Sequence, residues 1–455
     1  MQANWRKTAR LLGAALSAAL TLGALEARAQ GISLIRDAEI EQAMRDYTDP
    51  ILRAASLDPA DVKLYLVQDP TLNAFVAEGQ NIFIHTGLIM ATETPSQLKG
   101  VIAHETGHIA GGHLARSREA QGQAYIPVLA SIALGVLAIA AGAPDAGIAL
   151  IAGSQQFGFA SLARFTQVQE SAADQAGSTY LEATGQSSIG LIEFFNEFRY
   201  LEVVSESRAP AYFKTHPLSS DRIEALRTKL AKSPFKDVKD SPDDLLRFKL
   251  LKAKLEGYLD PPARVFARYP KTNNSLEAHY ARAVAAYRIP DIGLASQELR
   301  YLMEKQPENP YYPELMGQLL FEHQRAEEAL FFNRRAVALK PNNALLDIAL
   351  ARALAASGGG ANTDEALVML NKAIAVEPDN AYAWSELANI HDDKGEGGLA
   401  RLATAEAYYA IGGYQQAFGF AERAKRELTE GSVSWRRAAD ISQLSQSEVR
   451  LQRGG

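Results

Sequence analysis

The chain has 455 residues, of which 47% are hydrophobic and 22% are charged, so it can bury more than one core and is not a disordered protein. Its formal net charge is −6 and it carries no basic cluster, which argues against nucleic acid as a partner. It contains no cysteine, which excludes disulfide stapling and a cysteine-linked lipid anchor.

The first thirty residues have the pattern of a secretory signal peptide. Basic residues lie within positions 1–10, an almost continuous Ala/Leu/Gly run covers 11–25, and small residues at Ala27 and Ala29 fit cleavage after Ala29. The apolar run is shorter than the roughly 20 residues that a membrane-spanning helix needs. We therefore expect 1–29 to be cleaved and the mature chain to be periplasmic, not a lipoprotein.

Residues 30–232 mix helical patterns with a few strands. The clearest strand is 81–85, NIFIH, which is rich in β-branched and aromatic residues. A helical pattern follows over 96–118, with Ser96 as its expected N-terminal cap. These patterns predict an α+β domain that is mostly helical and holds a small sheet.

A charged segment with two prolines predicts a linker over 233–245. Beyond it, prolines close helix-like stretches at intervals near the 34-residue period of tetratricopeptide repeats; they are Pro270, Pro307, Pro341 and Pro378. Small residues also recur where the paired helices of such a repeat approach each other: Gly317, Ala329, Ala336, Ala366, Ala373, Ala417, Ala421 and Ala424. We predict an all-α solenoid over 246–435 and a polar tail over 436–455, with an unrelated helical bundle as the alternative.

The strongest functional signal is the segment 104–108, HETGH. On a helix, His104 and His108 lie one turn apart on one face, so both imidazoles can reach a single tetrahedral ion. Glu105 lies beside that face, where it can take a proton from the attacking water. Two histidines leave zinc under-coordinated, so the pattern predicts a third protein ligand from elsewhere. The alternative is two surface histidines and an acid on an ordinary helix.

The best candidate for the third ligand is Glu170, in the segment 170–174, ESAAD. The small residues between the two acids would let this helix pack closely against the first. Asp174 lies one turn further on the same face, where it would accept the remaining N–H of a ligating histidine. Two acids at this spacing repel each other unless a positive charge is nearby. One zinc ion per chain would supply that charge.

His113 follows His108 by five residues, whereas metzincin proteases place their third histidine ligand six residues after the second. We therefore expect His113 to pack near the site or to support a ligand, and not to bind the metal itself.

The segments HETGH, ESAAD and, at 215–223, THPLSSDRI together resemble the HtpX-type zinc metallopeptidases. The signal peptide and the repeats narrow this resemblance to a periplasmic branch, and it extends over nearly the whole mature chain. It implies a gluzincin-like fold, zinc bound by His104, His108 and Glu170, and Glu105 as the catalytic base.

The same resemblance implies roles for two further residues. His216 would lie on a loop that caps the zinc, and a fourth protein ligand there would fill the water site and stop hydrolysis. Arg222 would act in catalysis by stabilising the oxyanion of the tetrahedral intermediate. The alternative for both is a simple helix start, with Arg222 solvated or paired.

The strand just ahead of the zinc helix has a predicted function. In zinc peptidases such an edge strand typically pairs with an extended substrate backbone. We therefore predict a substrate-binding edge strand formed by Asn81, Ile82, Phe83 and Ile84.

An apolar stretch covers 126–153 and is interrupted near its middle by a Pro-Asp pair. Neither half is long enough to span a bilayer comfortably. Buried helices under the active site, a hairpin in peripheral contact with a membrane, and a true insertion all stay open.

Two functions are compatible with these features. The first is a zinc endopeptidase that cleaves misfolded or stalled envelope proteins, with repeats that bind a partner. By resemblance, that partner is the outer-membrane β-barrel assembly machinery or its clients. The second is a periplasmic chaperone or adaptor that acts through its repeats, with a latent metal site. Glu105 favours the first, because a pure adaptor does not need it.

Overall fold

The computed structural model describes residues 33–77, 80–116, 166–204 and 211–454. The predicted signal peptide and the apolar stretch 126–153 lie outside these residues. Within the described ranges, each helix is too short or too polar to cross a bilayer.

A four-stranded mixed sheet lies near the N-terminus; its strands are β1 (Leu34–Ile35), β2 (Leu64–Val67), β3 (Ala74–Ala77) and β4 (Asn81–His85). Their order is β1-β2-β4-β3, with β4 parallel to β2 and antiparallel to β3. The predicted strand is confirmed, but its prediction as a substrate-binding edge strand is wrong for Asn81, Ile82, Phe83 and Ile84. Because β3 folds back onto β4, the backbone of β4 is paired on both sides. Its apolar pattern reflects burial, since Ile82 and Ile84 are both almost fully buried.

Helices accompany this sheet in the N-terminal part of the chain: α1 (Ala38–Ala54), α2 (Thr86–Ala91), α3 (Pro95–Ala110), α4 (helical over 166–183), α5 (Ile189–Val204), α6 (Ala211–Thr215) and α7 (Ser220–Lys232). Helix α3 carries the HETGH segment. It is capped by Thr94, whose hydroxyl accepts from the Gln97 N–H, and not by Ser96 as predicted. Pro95 occupies the first helical position, where its missing N–H costs nothing. Ser96 therefore lies in the first turn.

Glycines allow α3 and α4 to pack with their backbones in close contact. A Cβ at Gly107 would lie 2.6 Å from the Ala173 carbonyl oxygen, and one at Gly177 would lie 2.9 Å from the Ala103 oxygen. Ordinary side chains would force the helices apart at both points. The prediction that small residues bring these two helices together is confirmed, and the contact sets HETGH against 170–174.

The rest of the chain is helical, beginning with α8 (Pro242–Leu259) and α9 (Pro262–Arg268). Antiparallel pairs follow: α10 (Leu276–Arg288) with α11 (Ile292–Lys305), α12 (Tyr311–Glu322) with α13 (Ala326–Leu339), α14 (Ala344–Ser357) with α15 (Gly360–Val376), α16 (Ala381–Asp393) with α17 (Gly397–Ala410), and α18 (Tyr414–Glu427) with α19 (Val433–Gly454). Prolines follow α11, α13 and α15 closely, and the predicted small positions are buried between paired helices. The predicted fold class, an α+β domain followed by helical repeats, is confirmed.

The segment predicted as a polar tail, 436–455, lies largely within α19, and Ala438 and Ile441 of that helix are buried. This segment therefore has an apolar face, which packs against α17 and α18.

Helix α8 joins the N-terminal part of the chain to the repeats. Phe248, Leu251 and Leu255 belong to the same apolar core as the sheet and α3. On the same helix, Lys254 is only 1% exposed, and its Nζ lies 2.7 Å from a carboxylate oxygen of Asp37. Because α8 packs on both parts, the boundary between the two domains stays a prediction.

Candidate metal centre

Helix α3 presents His104 and His108 on one face, one turn apart. Their Nε2 atoms lie 3.0 Å from each other, and the two rings meet edge to face. His104 is fully buried, and His108 is slightly more accessible. Both imidazoles therefore direct the same ring nitrogen toward one point.

Glu170 on α4 and His216, between α6 and α7, complete a cluster at this point. The Glu170 carboxylate oxygens lie 3.3 Å from the His104 Nε2 and 3.4 Å from the His108 Nε2. The His216 Nδ1 lies 3.2 Å from both Glu170 oxygens and 3.3 Å from the His104 Nε2. One donor atom from each of the four residues lies within 4.8 Å of the others. The structure thus brings together residues that are far apart in the chain.

These spacings fit a bound metal ion. Tetrahedral nitrogen ligands at the usual zinc distance of about 2.0–2.1 Å are roughly 3.3 Å from one another. The local charges fit as well, because Glu105, Glu170 and Asp174 are buried with one arginine, Arg222, among them. Within the described residues, neither Glu105 oxygen nor the His216 Nε2 has a hydrogen-bond partner, and the closest pair between these two groups is 3.5 Å apart. A divalent cation would balance the excess of carboxylates.

Asp174 supports His104 from outside the cluster. One of its oxygens lies 2.9 Å from the His104 Nδ1, and since a carboxylate only accepts, the imidazole donates from Nδ1. When the imidazole is neutral, the Nε2 lone pair of His104 therefore faces the cluster. Asp174 accepts two further hydrogen bonds, from the Arg222 Nε at 2.7 Å and Nη2 at 2.9 Å. The i, i+4 spacing of Glu170 and Asp174 predicts this contact, which is confirmed.

Arg222 lies beside the cluster, where it contacts the two acids of α4. Its Nε and Nη2 donate to Asp174, and its Nη1 donates to the Pro217 carbonyl oxygen at 2.6 Å. The side chain is 3% exposed and lies over the Phe195 ring. The Arg222 Nη1 also lies 3.2 Å from a carboxylate oxygen of Glu170. Arg222 therefore holds both acids of α4 and the start of α7, and its oxyanion role stays a prediction.

The electrostatics of the cluster follow from burial and close pairing. Burial alone would lower the pKa of His104, but the hydrogen bonds and charges of Asp174 and Glu170 raise it to about 10. Burial would raise the pKa of Glu170, but His104 and His216 hold it well below its usual range. Burial raises the pKa of Glu105, only partly offset by the two histidines near it. The ligand carboxylate is thus held ionised, whereas Glu105 is poised to accept and release a proton.

One residue at the site, Tyr212, is not identified by the sequence analysis. Tyr212 is buried, its ring centroid lies 4.7 Å from that of His216, and within the described residues its hydroxyl has no hydrogen-bond partner. The available signal was its i, i+4 spacing from His216 at the end of α6. His113 was expected only to pack or to support a ligand, and its Nδ1 lies 3.0 Å from the His108 Nδ1.

The fold and the donor set define this protein as a metalloprotease followed by helical repeats. Residues 35–230 match the model of Peptidase family M48.

The chain as a whole is similar to the beta-barrel assembly-enhancing protease of Escherichia coli K12, with 27% identity over 430 residues that cover 92% of this chain and 85% of that protein. It is also similar to the metalloprotease LoiP of Escherichia coli K12, with 29% identity over 179 residues, 38% of this chain and 64% of that protein. Among solved structures, it is similar to YrrB, described as a TPR protein with an unusual peptide-binding site. That similarity has 18% identity and a TM-score of 0.32, and it covers 42% of this chain and 97% of YrrB.

Proposed function

We propose that this protein is a zinc-dependent endopeptidase of the periplasm that cleaves misfolded or stalled envelope proteins. The observation that carries the proposal is the convergence of His104, His108 and Glu170 within metal-ligand spacing, beside the buried carboxylate of Glu105. The similarity to a beta-barrel assembly-enhancing protease supports outer-membrane proteins as the clients. The signal-peptide pattern of residues 1–29 supports the periplasmic location.

In this proposal, His104, His108 and Glu170 hold the zinc. When bound, zinc polarises the peptide carbonyl and makes nearby water easier to deprotonate. Glu105 takes a proton from this water as its oxygen bonds to the carbonyl carbon. The carboxyl of Glu105 then gives that proton to the amine nitrogen as the C–N bond breaks. A carboxyl with a raised pKa is suited both to accepting the proton from water and to giving it to the amine nitrogen.

A Glu105→Gln variant tests the proposal. Glutamine keeps the shape of the side chain but cannot accept the proton, so we expect zinc content to stay near one ion per chain and casein cleavage to fall by about 10²-fold or more. Glu224→Gln is the matched control, because this side chain is 72% exposed. Casein cleavage at the wild-type rate by the Glu105 variant would refute the assignment.

We further propose that His216 occupies the fourth position around the metal at rest. Its imidazole lies in contact with Glu170 and His104, and it stands on a short loop between α6 and α7. A fourth protein ligand would block the water needed for hydrolysis. His216→Ala should therefore raise the rate of casein cleavage, and an unchanged or lower rate would count against this gate.

Because β4 is an inner strand, we assign substrate pairing to β3, which is an edge of the sheet within the described residues. The Tyr212 N–H donates to the Leu72 carbonyl oxygen just ahead of β3, so this edge is tied to the helix that precedes His216. Because α3 contacts β3, an extended client segment added to β3 would lie near the helix that carries His104 and His108.

The repeats supply a separate surface for a partner. A groove of about 1070 Å³ lies between β1 and the repeats, and large apolar side chains are exposed along it: Leu34, Val376, Tyr382 and Ile411. Its charged side chains largely pair with one another, as Arg36 does with Glu377 at 2.8 Å. A groove of this kind suits an extended, uncharged apolar segment, such as an unfolded client or the assembly machinery.

Ile411 is the most accessible apolar residue of this groove at 68%, and Phe331 is equally exposed elsewhere at 67%. Ile411→Ser should weaken binding of an unfolded outer-membrane protein, whereas Phe331→Ser should not. Equal effects of the two changes would argue against the groove.

The alternative function is a periplasmic chaperone or adaptor that acts through its repeats. The separation of this groove from the metal cluster favours it, because no ligand residue lines the groove. If Glu105→Gln retained the cellular role while casein cleavage was lost, the adaptor function would be the principal one.

A further inference from the structure

We propose that His113 is a positioning residue that orients His108 for metal binding, an inference that rests on the proposed function. The Nδ1 atoms of His113 and His108 lie 3.0 Å apart, and the two rings meet edge to face with centroids 4.9 Å apart. His113 is 6% exposed. It therefore contacts His108 at Nδ1, whereas the Nε2 of the same ring points into the cluster.

The chain builds this contact with two consecutive glycines after α3. Gly112 has a φ of +61°, so it turns the backbone in a way that side chains rarely allow. A Cβ at Gly111 would lie 2.4 Å from the His113 Nε2, so the imidazole rests directly on the Gly111 Cα. The His113 carbonyl oxygen accepts from the Gln169 Nε2 at 3.3 Å, which ties this turn to the residue next to Glu170.

The hydrogen-bonding capacity of imidazole sets the direction of this contact. If the His108 Nε2 binds a metal, its lone pair is used there and its proton resides on Nδ1. The His108 Nδ1 then donates to the His113 Nδ1, and His113 holds its own proton on Nε2. His113 thus does for His108 what Asp174 does for His104, but without adding a charge.

The same geometry explains why His113 is not itself a ligand. Its Nδ1 is used by His108, and its Nε2 lies against Gly111. The group of potential ligands found among the described residues consists of His104, His108, Glu170 and His216, without His113.

Zinc affinity of the full chain, measured by competition with a chromophoric chelator, tests the inference. His113→Leu removes the acceptor and should weaken zinc binding by about 10- to 100-fold, the usual effect of losing an outer partner. His113→Asn places an amide oxygen near the position of Nδ1 and should restore most of the affinity. Gly111→Ala keeps the imidazole but displaces it, so it should resemble His113→Leu.

Thermal unfolding of the metal-free variants provides the second measurement. If His113→Leu binds zinc as tightly as wild type, the inference is wrong. It is also wrong if His113→Asn loses as much affinity as His113→Leu and both unfold at lower temperature without metal, since the role would then be packing alone. If the wild-type chain binds no zinc, the proposed function fails as well, so the two failures can be told apart.

Discussion

The close contact between α3 and α4 at Gly107 should control the distances between the metal ligands, although Gly107 is not itself a ligand. In a Gly107→Ala variant, the new Cβ would lie 2.6 Å from the Ala173 carbonyl oxygen, whereas ordinary contact begins at 3.4 Å. The two backbones must therefore separate by at least 3.0 − 2.6 = 0.4 Å at this point, and by 3.4 − 2.6 = 0.8 Å to reach ordinary contact. Glu170 lies one turn before Ala173 on the same helix, and metal sites tolerate only about ±0.2 Å in ligand distance.

We therefore expect Gly107→Ala to weaken zinc binding by at least 10-fold and to destabilise the protein by about 1–3 kcal/mol, as overpacked cores do. Zinc affinity by chelator competition and thermal unfolding measure the two effects separately. Two alanine substitutions serve as controls. Gly100→Ala creates a comparable clash, 2.8 Å from the Leu191 Cα, but against α5, which carries no proposed ligand. Gly419→Ala fills open space on a repeat helix and should be neutral or stabilising.

The reasoning is refuted if Gly107→Ala and Gly100→Ala weaken zinc binding equally, since loss of stability alone would then explain both. It is also refuted if Gly107→Ala binds zinc with wild-type affinity. In that case the close contact of the two helices would not determine the position of Glu170.

The remaining predictions concern pH and metal. Burial, partly offset by Lys254, raises the pKa of Glu314 from 4.5 to about 7, so the folded state binds this proton more tightly than the unfolded state. The free energy of unfolding should therefore fall as pH rises from 6 to 8. Glu314→Gln should reduce this slope and raise the free energy of unfolding at pH 8 by on the order of 1 kcal/mol. An unchanged slope in thermal melts would contradict the pKa shift. Removing metal with a chelator should lower Tm, because saturating zinc at about 100 times Kd stabilises by roughly 2.7 kcal/mol. Glu170→Gln should show no such response to zinc, and a wild-type Tm that is insensitive to zinc would contradict the site.

The metal cluster could be predicted from the sequence because it is built from pairs of residues that lie one helical turn apart. The spacing of His104 and His108 places both on one helical face, and the spacing of Glu170 and Asp174 does the same on a second helix. Each pair depends only on helix periodicity, which sequence reveals directly. The closing prolines and small residues of the repeats are local signals of the same kind.

The features that could not be predicted depend on how distant segments meet. The apolar pattern of β4 is the same for an inner strand as for an edge strand, and only the reversal of β3 decides between them. Arg222 lies beside Asp174 because α7 packs near α4, which no spacing in the sequence reveals. The contact between His113 and His108 depends on the positive φ of Gly112. Sequence therefore identified the residues of the site better than it identified their partners.

Because α8 packs into the peptidase core, the repeats cannot be cut away together with α8 without damage to that core. Phe248, Leu251 and Leu255 are buried in the peptidase core, and burying side chains of this size contributes about 1.5–3 kcal/mol each. Their loss would cost roughly 5–9 kcal/mol, comparable to the whole stability of a typical domain. Removing α8 would also leave Asp37 without the buried Lys254 that pairs with it.

A chain cut after α7 should therefore lose its fold and its zinc site together. Loss of proteolysis in that truncation would not show that the repeats recruit substrate. Point changes such as Ile411→Ser are the sound test, because they alter the groove without removing core residues.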